Sequence, residues 1–378
     1  MDPKKDSDIY IDRKKDLDTV LNRINDLNYY AIIAPRQTGK TTFLQQLINK
    51  INEDDLIRLE SIYITLEDLV NVNSDRFYFN FARKIIRYIS TNYSIYPESM
   101  ESIHESVESN LDLEDFFIKL SEAQFSPKEN DYEIIFHPSE DRKGLKFVIC
   151  IDEIDAIPDK LALEFLKTLR AIFEQRSFIK GYDSFSFIIS GAVDLAKLTY
   201  GKSSPFNIAT DIHLSDFKKD EMASMIEKTM KEVEVRYYEG FIDDLFGATN
   251  GHPYLTQKLC GKLLDNLISE RRFLIEQNEL AREIENLING NDWNLKTTLE
   301  KVLENNQQDV LLRILKGEKI KYNQSDNFSY ALKLAGALVN EKEEQDNGTY
   351  KNHSKTMKFC EIRNPIYKQY FYKYFNME

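Results

Sequence analysis

The amino-acid sequence predicts an α/β fold in which a parallel sheet is covered by helices on both of its faces. Short apolar runs alternate with stretches whose apolar residues recur at helical spacing, an order that builds parallel sheets. Continuous apolar runs are typical of strands buried on both faces. The predicted strands are residues 29–34, 62–66, 146–151, 185–191 and 211–214. From Lys218 the pattern becomes helical, and the chain ends in a predicted helix–helix–hairpin segment.

The most informative motif lies between the first predicted strand and an amphipathic helix. Residues 34–42 read Ala-Pro-Arg-Gln-Thr-Gly-Lys-Thr-Thr. In such a loop the backbone N–H groups wrap phosphates, the lysine reaches the β- and γ-phosphates, and a hydroxyl ligates Mg²⁺. Ala34 replaces the first glycine of the usual pattern G-x-x-x-x-G-K-[ST]. The predicted nucleotide-binding residues here are Pro35, Arg36, Gln37, Thr38, Gly39, Lys40, Thr41 and Thr42, with Lys40 also catalytic and Thr41 also a Mg²⁺ ligand.

Two adjacent carboxylates follow a second apolar run. Asp152 and Glu153 end the strand that begins at Lys146, and ligands bind at this end of the strands in open α/β sheets. We expect Asp152 to hold Mg²⁺ and Glu153 to orient and deprotonate the attacking water. Ser190 ends the next strand, where it either senses the γ-phosphate or is simply a small residue at a tight exit. Together the two motifs predict binding of ATP or GTP, with hydrolysis.

Composition bounds the class of protein. A length of 378 residues predicts two or three domains, and a hydrophobic content of 42% is enough for their cores. The net charge is −13. This charge gives no support to nucleic-acid binding, although a local basic face remains compatible with it. The three cysteines suggest no disulfide framework or zinc site, and no stretch reads as a signal peptide or a membrane span. We therefore expect a cytoplasmic protein without a membrane partner.

The chain is predicted to contain three domains. Residues 1–215 form the nucleotide-binding core, residues 216–300 a helical lid, and residues 301–378 a winged-helix-like domain. The core carries an insertion at about 91–145, with one clear helix from Leu111 to Ala123. That insertion is either a partner-binding surface or a lineage-specific elaboration.

The winged-helix prediction rests on the order of elements near the C-terminus. A helix that starts at Val310 is followed by a helix over 330–338, a turn at Asp346-Asn347-Gly348, a return strand over 359–362 and a helix over 365–375. A local basic cluster could touch nucleic acid, whereas the many aromatic residues favour packing instead. The cluster is Lys351, Lys355, Lys358, Arg363, Lys368 and Lys373.

Four segments together resemble the bacterial AAA-like ATPases of the STAND branch, which are related to AAA+ proteins. These segments are residues 34–42, 151–155, 204–208 and 251–260, and the resemblance covers roughly residues 8–270. It implies an ATP-dependent switch rather than a GTP-dependent one, with ATP and Mg²⁺ as cofactors. It also implies that His252 and Pro253 contact the adenine side and that Asp12-Arg13 borders the base. Asn207 lies in a family motif whose role does not follow from the residues.

Three functions compete at this stage. The first is a regulatory ATPase that acts on a protein partner or by self-assembly, in signalling or defence. The second is a DNA-acting ATPase of the origin-recognition or transposition-helper type that uses the winged helix, and the third is a nucleotide-binding scaffold. Arg170 and Arg176 are the candidates for an arginine finger. Without a finger in place we expect slow basal turnover, since one is worth about 10³–10⁵ in rate.

Overall fold

The protein is described from a computed structural model. The structure describes residues 13–53, 59–70, 72–127, 145–191, 208–290, 292–304, 306–322, 332–333, 335–340 and 359–377. The chain divides into two compact units. The first unit is Arg13–Ile33 with Lys40–His213, and the second comprises the described residues of Ala34–Gly39 and Leu214–Glu378. The predicted boundary at 215/216 lies close to this division, while the separation of lid and winged helix stays a prediction.

The first unit is built on a five-stranded sheet in which all neighbouring strands are parallel. Its strands are β1 (Tyr30–Ile33), β2 (Leu59–Thr65), β5 (Lys146–Asp152), β6 (Phe185–Gly191) and β7 (Thr210–His213), in the spatial order β2-β5-β6-β1-β7. Every residue of β1 and β6 is buried, as their continuous apolar sequences predict. The predicted parallel sheet is therefore confirmed.

The order of the strands determines where a ligand can bind. β1 and β6 are neighbours, but the chain continues from β1 to β2 at one edge and from β6 to β7 at the other. In open parallel sheets, ligands bind beyond the carboxyl ends of the strands at such a change of direction. The loop after β1 and the last residues of β5 and β6 lie at these ends.

The helices of the first unit bury one face each. Helix α3 (Ser74–Asn92) buries an aromatic and aliphatic stripe that includes Phe77, Phe81 and Ile85, and the Asn73 side chain caps its first turn. The first helix, Lys14–Leu21, is followed by a 3₁₀ turn at Ile24–Asp26. The helices are α1 (Lys14–Leu21), α2 (Lys40–Glu53), α3 (Ser74–Asn92), α4 (Asn110–Glu122) and α5 (Asp159–Gln175).

The insertion between α3 and β5 contains more than the one predicted helix. The strands β3 (Tyr93–Tyr96) and β4 (Gln124–Pro127) pair in antiparallel register on either side of α4. A 3₁₀ segment, Glu98–Ser106, lies between β3 and α4. Phe117 of α4 packs against the ring of Phe185, with centroids 4.8 Å apart, so the insertion is anchored on the sheet. Ser126 and Pro127 are the last residues of β4, and residues 128–144 lie outside the described ranges.

The second unit begins as a group of helices. They are α6 (Lys219–Glu232), α7 (Phe241–Thr249), α8 (Pro253–Glu270), α9 (Gln277–Asn289) and α10 (Trp293–Glu304). The expectation of a purely helical segment is wrong in one respect, because β8 (Arg236–Tyr237) and β9 (Leu274–Ile275) form a short parallel pair. Each strand has only two residues, which is too short for the alternating pattern by which longer strands are predicted from sequence.

The C-terminal part contains α11 (Gln308–Leu315), β10 (Leu338–Asn340), β11 (Cys360–Ile362) and α12 (Pro365–Tyr374). β10 and β11 pair in antiparallel register, and Ile362 lies opposite Leu338. The predicted helix over 330–338 is wrong at its end, since Leu338 belongs to the strand. The predicted turn at Asp346-Asn347-Gly348 lies outside the described residues, and the winged helix stays a prediction. Among the described helices, none is both long and apolar enough to cross a membrane.

Gly251 should be essential to the stability of the second unit. Its φ of 72° is strained for other residues, and a Cβ there would overlap the Phe217 carbonyl oxygen, part of the backbone. We expect Gly251→Ala to lower the free energy of unfolding by about 2 kcal/mol or more. Gly247→Ala is the matched control, because a Cβ on that helical glycine meets no atom within 4 Å. It should be neutral or stabilising by up to about 1 kcal/mol. Urea unfolding of both variants measures the difference, and equal effects would contradict this account.

Candidate functional site

The loop between β1 and α2 contains two residues in the left-handed backbone region. Gln37 has a φ of 58° and Gly39 a φ of 85°. Thr38 lies between them, is 1% exposed, and donates its hydroxyl to the Pro35 carbonyl at 2.7 Å. A Cβ on Gly39 would meet no protein atom within 4 Å. Its positive φ, and not contact with other protein atoms, is therefore the reason that glycine is favoured at this position. The open space beside Gly39 leaves room for an anion.

The centre of the site is Asp152, the last residue of β5. Its carboxylate is fully buried. Oδ2 accepts a hydrogen bond from the Thr41 hydroxyl at 2.6 Å and a second from the Tyr63 hydroxyl at 3.1 Å. Oδ1 accepts from the backbone N–H of Glu153 at 3.0 Å. The fold therefore brings together the predicted metal ligands Thr41 and Asp152, which are 111 positions apart in sequence.

Tyr63 is a site residue that the sequence did not reveal. It lies on β2 opposite Cys150 of β5, in the register that also sets Thr65 opposite Asp152. Burial, and then the nearby Asp152 carboxylate, raise the pKa of Tyr63 above its ordinary value, so the hydroxyl stays protonated and can donate. The sequence offered only a weak signal, a tyrosine near the end of an apolar strand. Assigning it required knowledge of which strand neighbours β5.

Lys40, Thr41 and Thr42 form the first turn of α2. Lys40 is 6% exposed, and Thr41 and Thr42 are half-buried. The free N–H groups of a helix N-terminus and its dipole favour an anion there, as does a lysine in the first turn. This turn thus has the chemistry to hold phosphate. Pro35 and Arg36 precede it and are half-buried.

Glu153 directly follows β5, and Ser190 is the next-to-last residue of the neighbouring strand β6. Glu153 has a φ of 57° and precedes a 3₁₀ turn at Ile154–Ala156. A non-glycine residue in this region is uncommon, and such residues cluster at functional sites. Ser190 is fully buried, and its Oγ has no hydrogen-bond partner within the described part of the chain. Since Ile151 pairs with Ile189, Ser190 lies one residue beyond this pair, as Asp152 does.

These groups fit a nucleotide with Mg²⁺. Thr41 and Asp152 supply the oxygen ligands that Mg²⁺ prefers, and in phosphate sites this ion takes only one or two carboxylates from the protein. The described residues contain no cluster of three or more histidine, cysteine or carboxylate side chains that would indicate a different metal. The buried Ser190 Oγ of the first unit lacks a partner among the described residues and could be satisfied by a ligand.

The predicted base-contacting residues lie in different surroundings. His252 is fully buried in the second unit, where its Nδ1 accepts from the Leu255 N–H at 3.4 Å and its Nε2 lies 3.3 Å from the Tyr367 hydroxyl. Burial, followed by the charge of Arg363, lowers the pKa of His252 to about 3, so the ring is neutral at physiological pH. Pro253 is buried at the first position of α8. Protein groups thus engage both ring nitrogens, and adenine contact by this motif stays a prediction.

Arg13 is half-buried at the start of α1 in the first unit. Its carbonyl accepts the N–H groups of Asp16 and Leu17, each at 2.9 Å, and begins the helix. Its preceding neighbour in the predicted motif, Asp12, and the motif residue Asn207 lie outside the described ranges. The role of Arg13 beside a base stays a prediction.

The candidate arginine fingers have local partners. Arg176 donates to the Leu27 carbonyl at 3.0 Å and stacks over the Phe173 ring at 4.0 Å, so its side chain is held against its own unit. Arg170 forms an i,i+4 ion pair with Glu174 at 2.8 Å on an exposed helix face. Arg176 is therefore poorly placed to serve a neighbouring subunit in this conformation, and Arg170 has the ordinary setting of a surface charge.

The predicted basic cluster at the C-terminus does not form one exposed surface. Arg363 is 2% exposed, and its Nε donates to Asp216 at 2.8 Å in a buried ion pair. Lys373 donates to Asn289, and Lys368 lies over the Tyr372 ring. Lys351, Lys355 and Lys358 lie outside the described residues. Arg363 is thus a structural residue, which corrects its assignment to a nucleic-acid contact.

The sheet order, the glycine–lysine–threonine loop and the buried aspartate define the class of P-loop nucleotide-binding folds. The sequence matches a family model described as AAA-like domain over residues 2–345, and the chain belongs to that family. No curated protein matches the sequence.

Three solved structures are similar to this chain over most of its length. The Walker-type ATPase PABY2304 of Pyrococcus abyssi superposes with a TM-score of 0.60 at 14% identity, covering 96% of this chain and 95% of that one. Cdc6p of Pyrobaculum aerophilum has a TM-score of 0.49 at 15% identity, with 98% of each chain covered. The RuvB Holliday junction branch migration motor of Thermotoga maritima scores 0.47 at 15% identity, with 97% of this chain and 94% of that chain covered. At these identities the likeness concerns fold alone, and the two lower scores carry no further conclusion.

Tyr63→Phe should lower the affinity of the nucleotide site for Mg²⁺ without affecting the fold. The variant removes one of two hydroxyl donors to Asp152 Oδ2, and outer partners of a metal ligand typically contribute 10–100-fold to affinity. Because Tyr63 is half-buried, we expect a rise of about 10-fold in the Mg²⁺ concentration for half-maximal binding of a fluorescent ATP analogue. Binding in EDTA should not change.

Tyr93→Phe is the matched control for this test. Tyr93 also donates its hydroxyl to a carboxylate, Glu60 Oε2 at 2.6 Å, in the same unit but apart from Asp152. The control should keep the Mg²⁺ dependence of the wild type. An equal shift in both variants would show that Tyr63 has no specific connection to the metal site.

Proposed function

We propose that this protein is an ATPase that binds ATP with Mg²⁺ and hydrolyses it to ADP and phosphate. The observation that carries the proposal is the hydrogen bond of 2.6 Å between the Thr41 hydroxyl and the Asp152 carboxylate. It joins the two halves of the predicted site within a fold of the P-loop class. Membership of the AAA-like family supports ATP rather than GTP.

We assign each predicted residue a role in this reaction. Lys40 and the free N–H groups at the start of α2 would bind the phosphates, and Thr41 with Asp152 would hold Mg²⁺. When bound, Mg²⁺ supplies positive charge that neutralises the developing charge on the phosphate oxygens. Glu153 would accept a proton from the attacking water. Ser190, whose hydroxyl has no partner among the described residues, would donate that hydroxyl to the γ-phosphate. Pro35, Arg36, Gln37, Thr38, Gly39 and Thr42 complete the proposed phosphate loop, and Arg13, His252 and Pro253 are proposed to border the base.

The proposed turnover is slow for the isolated protein. Arg176 is held by Leu27 and Phe173, and Arg170 by Glu174, so neither candidate is free in this conformation to stabilise the transferring phosphate. A missing finger lowers the rate by about 10³–10⁵. A monomer that hydrolysed ATP as fast as an assembled ring ATPase would contradict this expectation.

Two variants test the ATPase assignment. Lys40→Ala should abolish binding of a fluorescent ATP analogue or weaken it severely, because it removes the cation that faces the phosphates. Glu153→Gln should keep that binding but reduce phosphate release by at least about 10²-fold, since the amide cannot accept a proton. Fluorescence titration and a phosphate-release assay separate the two effects. Normal hydrolysis by Glu153→Gln would show that another group is the base, and tight binding by Lys40→Ala would contradict the loop assignment.

We further propose that hydrolysis controls a switch acting on a protein partner or through self-assembly. The proposed parts are the core at 1–215, the lid at 216–300 and the winged-helix-like domain at 301–378. The motif at the start of α8 supports a defined lid conformation, since Gly251 lies too close to Phe217 to accept another side chain. A DNA-acting ATPase is the second candidate function, and a scaffold without useful hydrolysis is the third. The carboxylate at Glu153 argues against the scaffold.

The switch predicts that ATP changes the state of association. Light scattering of Glu153→Gln should give a larger mass in ATP than in ADP, because the variant traps the ATP state. Lys40→Ala is the control and should give the same mass in both nucleotides. An increase that requires duplex DNA would favour the DNA-acting candidate instead. An unchanged mass under all conditions would contradict self-assembly and leave a monomeric switch that needs a separate protein.

A further inference from the structure

Helix α3 carries an exposed row of three arginines. Arg76, Arg83 and Arg87 are all exposed, and at 100° per residue they fall within an arc of about 40°. The buried residues of the helix, which include Phe81 and Ile85, occupy the opposite face. We call these three side chains the arginine ridge. Along the helix axis they are separated by about 10.5 Å and about 6 Å, from a rise of 1.5 Å per residue.

The arginine ridge combines a shared helix face with a lack of ion pairs among the described residues. None of its three side chains forms an ion pair with any described carboxylate, although the chain has 63 Asp and Glu against 50 Lys and Arg. Asp75 is the single carboxylate of α3, so the helix has a net charge of about +3 from four cations and one anion. Five described arginines have carboxylate partners within 4 Å, namely Arg170, Arg272, Arg282, Arg313 and Arg363. The exposed Arg23, Arg236 and Arg271 also have no ion pair among the described residues, but they lie on different elements and form no row on one helix.

The neighbour of the ridge on the same helix shows the contrast directly. Lys84 lies to one side of the row and pairs with Asp68 at 2.8 Å. Three arginines without an ion pair among the described residues lie on one line and concentrate positive potential there. That potential favours a partner that brings its own anions.

The chemistry of the ridge fits a phosphate backbone better than a protein surface. Protein interfaces have an apolar or aromatic centre, whereas no large hydrophobic residue of α3 is exposed. Arginine binds phosphate oxygens with two parallel hydrogen bonds. Single strands are usually held by stacking on exposed aromatic rings, which the ridge does not offer. A straight, rigid row of cations instead matches the regular line of charges along a duplex.

We propose that the arginine ridge of α3 is a contact surface for the phosphate backbone of duplex DNA. The surface lies on the ATPase unit itself and is separate from the predicted basic cluster at the C-terminus. The proposal does not depend on ATP hydrolysis. The net charge of −13 opposes binding elsewhere on the chain and makes the interaction local and strongly dependent on salt.

The test is fluorescence anisotropy with a short fluorescein-labelled duplex of mixed sequence. Three phosphate contacts predict that log Kobs falls against log salt with a slope of about −2.7, or about 40-fold in affinity between about 50 and 200 mM. The variant R76Q/R83Q/R87Q should lose most of its low-salt affinity and flatten the slope by about 2.7. Arg83→Gln alone should flatten it by about 0.9, which keeps the test usable if the triple variant folds poorly.

The matched control is R236Q/R282Q/R313Q, which removes an equal number of positive charges from exposed positions of the second unit. It should keep the wild-type slope. Equal slopes for the two triple variants would overturn the proposal, as would absence of wild-type binding to the duplex at low salt. Tighter binding of a labelled single strand than of the duplex would also overturn it. A salt-sensitive dimer that only the ridge variant abolishes would assign the ridge to a second copy of the chain instead.

Discussion

The structure depends above all on the buried carboxylate of Asp152. A charge removed from water costs several kcal/mol unless donors surround it, and this carboxylate receives the Thr41 hydroxyl, the Tyr63 hydroxyl and the Glu153 N–H. Those donors come from the start of α2, the middle of β2 and the end of β5. One ionised group thus fixes three elements that are remote in sequence. The Thr41 hydroxyl that stabilises this carboxylate is also the hydroxyl that we propose as a ligand of Mg²⁺.

The second unit uses a comparable device for a different purpose. Arg363, next to α12, pairs with Asp216, which precedes α6, and both are largely buried. The Asn250 side chain donates to the Arg363 carbonyl at 2.9 Å, and Tyr367 donates to Asn294 at 2.6 Å. Removing one partner of a buried pair costs about 3–5 kcal/mol. The segments proposed as lid and winged helix therefore share one polar network, and we infer that they fold together even if they are separate in sequence.

The parts of the fold that were predictable are those that local chemistry determines. Apolar runs identified the sheet strands, and the spacing of Gly39, Lys40 and Thr41 identified the loop before α2. Tyr63 could not be assigned because its role depends on β2 lying beside β5, and an apolar run does not specify its neighbours. The surroundings of Arg363 and Arg176 could not be predicted for the same reason. Their sequence suggested exposed cations, but residues 147 and 149 positions away engage them.

The charge of the whole chain was a poor guide to its surfaces. A value of −13 gave no support to nucleic-acid binding, and the predicted basic cluster at the C-terminus consisted of cations that are close in sequence. Proximity in sequence matters less than position on a helix, since residues 76, 83 and 87 share a face while Lys84 does not. Helical periodicity shows which residues share a face, and the ion pairs of the structure show which of these residues have carboxylate partners. A row of arginines opposite a buried face is ordinary, but in a protein with excess carboxylates it is the lack of partners in the described structure that favours an external polyanion.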